Sequence, residues 1–169
     1  MKVAFHVRSF RAKSLAVGIY FFAGFSASAE TIDLSPEGLE DPLATITFDE
    51  IDIADTARVA TEFAALGATF VPNLFYREGD HPDWQNVEGP NLRTGDPEVN
   101  PFSINFNKVL TSAAVTLIAQ PPTPATITAR LDGEEVESFE TTISIDNPEN
   151  YFGFRDIAFN ELEVEYTCL

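Results

Sequence analysis

The 169-residue sequence contains little cysteine and little positive charge, and both shortages exclude classes of function. Its one cysteine, Cys168, rules out an intramolecular disulfide and any metal site built from several cysteines. Ten basic residues stand against 27 acidic ones, which gives a formal net charge of −17. Because nucleic acids and anionic membranes are bound mainly through Lys and Arg, neither is an expected partner.

Motifs of common catalytic sites are absent as well. The sequence has two histidines, no His-Glu-x-x-His pair for zinc and no Gly-x-Ser-x-Gly nucleophile elbow. We therefore expect a protein that is not an enzyme. A glycosidase stays open as the alternative, because it needs only two carboxylates at a set separation.

Residues 1–29 have the pattern of a secretory signal peptide. Four basic residues lie among the first 13, an apolar run covers 15–25, and Ala27-Ser28-Ala29 offers a small-residue cleavage site. The run is shorter than the roughly 20 residues of a membrane span, and a retained N-terminal anchor is the alternative. We expect a secreted chain, extracellular or periplasmic, that begins at Glu30. That chain has six basic and 27 acidic residues, a net charge of −21.

The rest of the sequence predicts an all-β domain. Residues 30–44 are interpreted as an N-terminal extension and 45–169 as the domain. Short runs with alternating apolar residues are separated by turn residues, which is typical of antiparallel strands. Asp132-Gly133 predicts a tight hairpin, since both positions of its turn need a positive φ. One short helix is expected at 57–66, with Val59, Phe63 and Leu66 on one side. We predict an antiparallel two-sheet β-sandwich, jelly-roll-like.

Three segments carry a resemblance. Ile-Thr-Phe-Asp-Glu at 46–50 is followed by Phe-Ala-Ala-Leu-Gly-Ala-Thr-Phe at 63–70, and later by Tyr-Phe-Gly-Phe at 151–154 with Ile-Ala-Phe-Asn-Glu-Leu at 157–162. This order resembles exported bacterial jelly-roll domains of PEP-CTERM sorted proteins, over most of residues 45–166. The sorting tail itself is absent from the sequence.

The resemblance also raises a question about the closing strand. Domains of this kind end on a strand that bears paired acids, and Asn160-Glu161-Leu162 either is that strand or matches the one before it. On the second interpretation the sequence stops at Leu169 before the closing strand, and a sheet edge stays unpaired. Since an unpaired edge is a template for another chain, we then expect self-association.

Acidic side chains after the first predicted strand are candidate ligands for Ca²⁺, which prefers oxygen ligands. Asp49 and Glu50 lie in a run that also holds Asp52 and Asp55. The resemblance implies that Asp49 approaches the closing-strand acids, so Asn160 and Glu161 complete the candidate set. The alternative is a solvated acidic loop, which is what most charge runs are.

A polar loop around the single tryptophan is the candidate carbohydrate site. Tyr76 and Trp84 supply aromatic faces, and Asp83, Asn86 and Asn91 supply hydrogen-bonding groups. In the alternative interpretation Trp84 folds down and caps the end of the sandwich. We therefore expect an exported, non-catalytic extracellular or cell-surface module with a structural or binding role, for which Ca²⁺ is the one candidate cofactor. Its expected partner is an extracellular polysaccharide or surface protein, and the alternative function is a carbohydrate-binding module that uses the Trp84 loop.

Overall fold

The computed structural model describes residues 5–8, 29–79, 86–87, 89–94 and 100–167, so most of the predicted signal peptide lies outside it. Strands make up 54% of the structure and helix 2%, which confirms the all-β prediction. In the described part no helix has the length and hydropathy to cross a membrane. The strands are β1 (Phe5–Arg8), β2 (Glu30–Ser35), β3 (Ala44–Ile46), β4 (Arg58–Val59), β5 (Ala68–Val71), β6 (Leu74–Arg77), β7 (Asn91–Arg93), β8 (Phe102–Leu110), β9 (Ser112–Thr116), β10 (Thr123–Leu131), β11 (Glu134–Ile143), β12 (Tyr151–Arg155) and β13 (Phe159–Tyr166).

The strands form three antiparallel sheets. The first sheet has the order β2-β12-β9-β1-β3, the second has the order β11-β10-β13-β8-β5, and the small sheet has the order β4-β6-β7. In the two larger sheets most neighbouring strands come from distant parts of the sequence, as in the pairing of Glu30 with Arg155. The fold therefore depends on long-range pairing more than on local hairpins.

All three sheets contribute to one hydrophobic core. Alternate residues of each strand point to the same side, so Phe102, Ile104 and Leu162 of the second sheet are buried together with Phe154 of the first. The ring of Phe154 lies 5.3 Å from that of Phe139 and 6.2 Å from that of Phe159, both on the second sheet. Aromatic edge-to-face contacts thus join the two larger sheets.

The β10–β11 hairpin follows the sequence prediction. Asp132 has φ 54° and Gly133 has φ 88°, the two positive values that a type I′ turn needs. Val136 is the extra residue of a β-bulge, because Ala129 pairs with Glu137 while Arg130 pairs with Glu135. The spacing of apolar residues in this strand predicts a bulge near 137–138, one residue further along.

The predicted helix at 57–66 is wrong in extent. The segment holds strand β4 and a single 3₁₀ turn at Ala64–Leu66, which ends at Gly67 with φ 103°. Val59 and Phe63 are completely buried, whereas Leu66 is 44% exposed. The Phe63 ring packs edge-on against Phe48 at 5.2 Å and near Phe70 at 6.3 Å. Aromatic packing, rather than helical periodicity, determines the backbone conformation of this segment.

The segment 30–44, interpreted above as an N-terminal extension, contains strand β2 of the first sheet. Strand β2 pairs with β12, and Ile32 is buried with Leu39 and Ala114. The Thr141 hydroxyl donates a hydrogen bond of 2.7 Å to the Asp33 carboxylate, which ties β2 to the second sheet. The boundary predicted at residue 45 therefore crosses a paired structure.

Strand β1 comes from within the predicted signal peptide. It lies between β9 and β3 and pairs antiparallel with both. In the described sheet order β3 lies at the edge, and the strand next to it is β1. The segment 160–162, the candidate closing strand, lies in β13, which is paired with β10 on one side and β8 on the other.

Candidate functional site

Two of the predicted saccharide-binding residues are buried. Tyr76 is 4% exposed and belongs to the core, and burial, followed by the charge of Glu78, raises the pKa of its hydroxyl. Asn91 is 1% exposed, and its amide donates to the carbonyl oxygens of Arg77 and Gly89. The ring face of Tyr76 is therefore not available to a sugar, which corrects its predicted role.

The remaining predicted residues belong to the loop between β6 and β7. Asn86 is exposed, and its amide donates to Pro148 at 3.1 Å and to the side chain of Asn150 at 2.9 Å. Asp83 and Trp84 lie outside the described residues. The loop follows β6, which carries Arg77, and precedes β7, which carries Arg93.

The candidate calcium ligands Asp49 and Glu50 form a local hydrogen-bonded turn. The Thr47 hydroxyl donates to the Asp49 carboxylate, and the Thr47 amide donates to that of Glu50 at 2.7 Å. Both acidic residues are exposed. Their oxygens thus act as acceptors for backbone and hydroxyl groups of the same turn, as in a solvated loop.

The other two candidate ligands lie on β13, beside the β10–β11 hairpin. The Asn160 amide donates to the Asp132 carboxylate at 2.9 Å, and the Asp132 backbone amide donates to the Asn160 side chain at 3.0 Å. Glu161 pairs in register with Arg130 and Asn105. In the described part of the chain, no cluster of three or more His, Cys, Asp or Glu side chains is arranged to hold a metal ion.

We expect millimolar Ca²⁺ to leave thermal unfolding almost unchanged, because among the described residues no group of acids that includes Asp49 is arranged to hold a metal ion. A ligand present at 100 times its Kd would add about 2.7 kcal/mol to the free energy of unfolding, a shift of several degrees. A melt with and without Ca²⁺ measures this. A clear rise that Asp49→Asn abolishes would instead identify Asp49 as a ligand.

The outer face of the small sheet concentrates positive charge. Its central residue is Phe75, which pairs with Arg58 on one side and with Arg93 on the other. Arg77 lies two residues along the same strand and so points to the same face. We call Arg58, Phe75, Arg77 and Arg93 the arginine face. It holds three of the six basic residues found after residue 29.

The arginine face is shaped around the Phe75 ring. The guanidinium carbon of Arg58 lies 4.5 Å from the ring centroid, a cation–π contact. A surface cavity of about 310 Å³ is lined by Thr56, Phe75, Arg77 and Arg93. Burial, followed by the charge of Arg77, lowers the pKa of the Arg93 guanidinium. The charge of Asp55 acts in the opposite direction on this pKa, so a carboxylate near the two arginines offsets part of their repulsion.

One carboxylate already contacts this face. Asp55 lies 3.3 Å from Arg77, and its other oxygen accepts the backbone amide of Glu78 at 3.0 Å. The Arg77 and Asp55 side chains are 37% and 43% exposed, so the ion pair is worth at most about 1 kcal/mol. Arg77 therefore already binds a carboxylate, and the carboxylate of a ligand can replace that of Asp55 at a small cost in free energy.

A larger groove has the opposite charge. Its volume is about 660 Å³, and it runs between β2 and the ends of β10, β11 and β13. The carboxylates of Asp33, Glu140 and Glu165 line it, together with several threonines. An anionic ligand is repelled there, so within the described surface the two concavities favour different ligands.

The sequence analysis missed the arginine face, although two signals point to it. In strand β6 the buried Leu74 and Tyr76 alternate with Phe75 and Arg77, so period 2 puts the second pair outside. The shortage of basic residues is the other signal, because three of the six after residue 29 fall within 58–93.

No family model, no curated protein and no solved structure matches the chain.

Proposed function

We propose that the chain is an exported, non-catalytic β-sandwich module that binds an acidic saccharide on the arginine face. The compartment, extracellular or periplasmic, follows from the signal-peptide pattern of residues 1–29. The finer fold within the all-β class is a jelly-roll-like sandwich, in which the first and second sheets pack face to face. Its support is the shared core, in particular the ring contacts of Phe154 with Phe139 and Phe159.

The observation that carries the function is the clustering of Arg58, Arg77 and Arg93 around Phe75 on a strongly acidic chain. A guanidinium donates two parallel hydrogen bonds to a carboxylate, a geometry that a point charge does not offer. An aromatic ring beside it supplies apolar surface for the C–H groups of a sugar. A sugar that carries a carboxylate, such as a uronate, combines both requirements.

The net charge of −21 opposes anions only at long range. At an ionic strength of 0.1 M the Debye length is about 10 Å, so distant acids are screened while the arginines in contact are not. The Trp84 loop joins β6 to β7 in the sequence, the two strands that carry Arg77 and Arg93. The alternative carbohydrate-binding role of that loop is thus compatible with the same ligand.

We expect the purified chain to bind a uronate-containing oligosaccharide more tightly than the neutral oligosaccharide of equal length at 0.15 M salt. Charged hydrogen bonds contribute about 1.5–3 kcal/mol, so Arg77→Gln or Arg93→Gln lowers the affinity by about 10-fold or more. Lys108→Gln removes the same charge from an exposed position of β8. We expect it to change the affinity less than about 2-fold, because a remote surface charge is screened. Titration calorimetry measures all three.

Equal binding of the acidic and neutral sugars, or an Arg93→Gln chain that binds like the parent, would overturn the assignment. Because the chain has one tryptophan, its fluorescence reports on the loop. Trp84→Ala should weaken saccharide binding without unfolding the domain if Trp84 contacts the ligand. A stability loss of about 3–5 kcal/mol would show that it caps the sandwich instead.

A further inference from the structure

A slot one strand wide separates β9 from β3 in the first sheet, and β1 occupies it. Phe5 pairs with Val115 on one side and Ile46 on the other. Val7 pairs in the same way with Ala113 and Ala44. A four-residue segment is thus hydrogen-bonded along both edges, which is the arrangement of a central strand rather than of a loose terminus.

Alternate residues of the β9 wall and Ile46 of the β3 wall belong to the main core, whereas Ala44 and Thr45 are exposed. Val115 and Ala113 are completely buried, and Ile46 is 3% exposed. Positions 5 and 7 of β1 share the register of these residues, so the core side of the slot requires apolar residues at alternate positions. An empty slot would expose this part of the core and leave the facing edges of β9 and β3 unpaired.

Export removes the occupant. The argument here rests on the proposed function, because cleavage after Ala29 separates β1 from the rest of the chain. In the described sheet order β3 then has no pairing neighbour. The outer edge of the second sheet differs, because β11 there carries four glutamates (Glu134, Glu135, Glu137 and Glu140). Charged edges of this kind discourage pairing, whereas the slot has neutral walls.

We propose that the slot is an acceptor for a donated β-strand, and that after export a basic segment of another polypeptide fills it. The segment that occupies the slot, Phe5–Arg8, holds Arg8 and no acidic residue, and it belongs to a stretch, residues 1–13, with four basic residues and no acidic one. The acceptor chain carries a charge of −21, so a basic donor is attracted. A second copy would bring a further −21 and be repelled. The donor has apolar residues at alternate positions and pairs antiparallel with both walls.

The full chain tests the slot directly. Val7→Pro removes one backbone N–H from β1, whereas Val7→Thr keeps it and retains a β-branched side chain. We expect the proline variant to exchange the β9 amides that face β1 at least about 10-fold faster, and the threonine variant to match the parent. Hydrogen exchange read by mass spectrometry over 112–116 measures this.

A synthetic peptide with the sequence of residues 3–10 is the probe for donation. It should bind the Val7→Pro chain 1:1, restore slow exchange in β9 and bind the parent chain at least 10-fold more weakly. The same peptide with proline at its Val7 position is the control and should not restore exchange. Light scattering then reports whether a second copy competes.

Unchanged exchange in the Val7→Pro chain, or a peptide that fails to restore it, would overturn the proposal. A Val7→Pro dimer with protected β9 amides and no peptide binding would show that a second copy fills the slot, against the basic donor. Export is checked separately, since mass spectrometry of the secreted protein should give Glu30 as its N-terminus. A retained Met1 would refute cleavage, and with it the loss of β1, while the exchange result still measures the slot.

Discussion

Gly153→Ala is expected to prevent stable folding. A Cβ added at Gly153 would run into the carbonyl oxygen of Ala113 and lie 3.0 Å from the Cα of Ala114. Both obstacles are backbone atoms of β9, so no side chain can rotate away, and β12 has to move from its neighbour. Overpacking of a core already costs about 1–3 kcal/mol when side chains can adjust. With φ at +153° as a second source of strain, we expect a loss above that range.

Chemical denaturation of Gly153→Ala measures the loss, or its yield of soluble protein if it does not fold. Gly79→Ala is the matched control, because Gly79 also has a positive φ, +135°, but no atom within 4 Å of an added Cβ. The stability lost in Gly79→Ala therefore measures the backbone strain without a steric clash. If the two variants are equally stable, the close approach of β12 to β9 is wrong.

Phe63→Ala is expected to destabilise the domain by about 3–5 kcal/mol, the usual cost of emptying a core phenylalanine site. Phe63 is completely buried and packs against Phe48 and Phe70. A domain of this size is stable by about 5–15 kcal/mol in total, so the variant loses a large share of that. Denaturant unfolding with an unchanged m-value measures it.

Leu66→Ala separates the observed turn from the predicted helix. A helix over 57–66 would bury Leu66 on the same side as Phe63, and its truncation would then cost 2 kcal/mol or more, roughly. In the structure Leu66 is 44% exposed, so we expect a cost of about 0.5 kcal/mol, as for other surface positions. A large loss of stability would support the predicted helix over the observed turn.

The strands and the hairpin were predictable because their signals are local. Alternation places Phe102, Ile104 and Phe106 on one side of β8, and they are buried as that pattern requires. Asp132-Gly133 needs only its own two φ angles to form a turn. Periods and turn residues carry this information within a few positions.

The 57–66 segment was mispredicted because its apolar spacing fits two structures. Val59 and Phe63 are four residues apart, which suits a helix, yet they are buried here in a strand and before a 3₁₀ turn. The ring contacts of Phe63 with Phe48 and Phe70 decide between them, and these partners lie outside the window that a periodicity covers. Tertiary packing overrides local preference in such cases.

The candidate site was only partly predictable for a similar reason. Tyr76 and Phe75 are adjacent aromatics, and which of them faces solvent depends on the register of β6 with β4 and β7. A shift of one residue exchanges the two faces of a strand. The position of Phe5–Arg8 between β9 and β3 depends on pairing across more than 100 residues, for which the sequence contains no local sign.

If the chain is exported as proposed, the pairing of Glu30 with Arg155 sets an order of events during export. Strand β2 cannot form until residue 155 has crossed the membrane, since the strand it pairs with lies 125 residues further along the chain. On that proposal the Ala29–Glu30 bond precedes a strand that has no β12 partner while nearly all of the domain is translocated. On the export proposal, the peptidase acts on a chain that has not yet folded, and β2 closes onto the sheet afterwards.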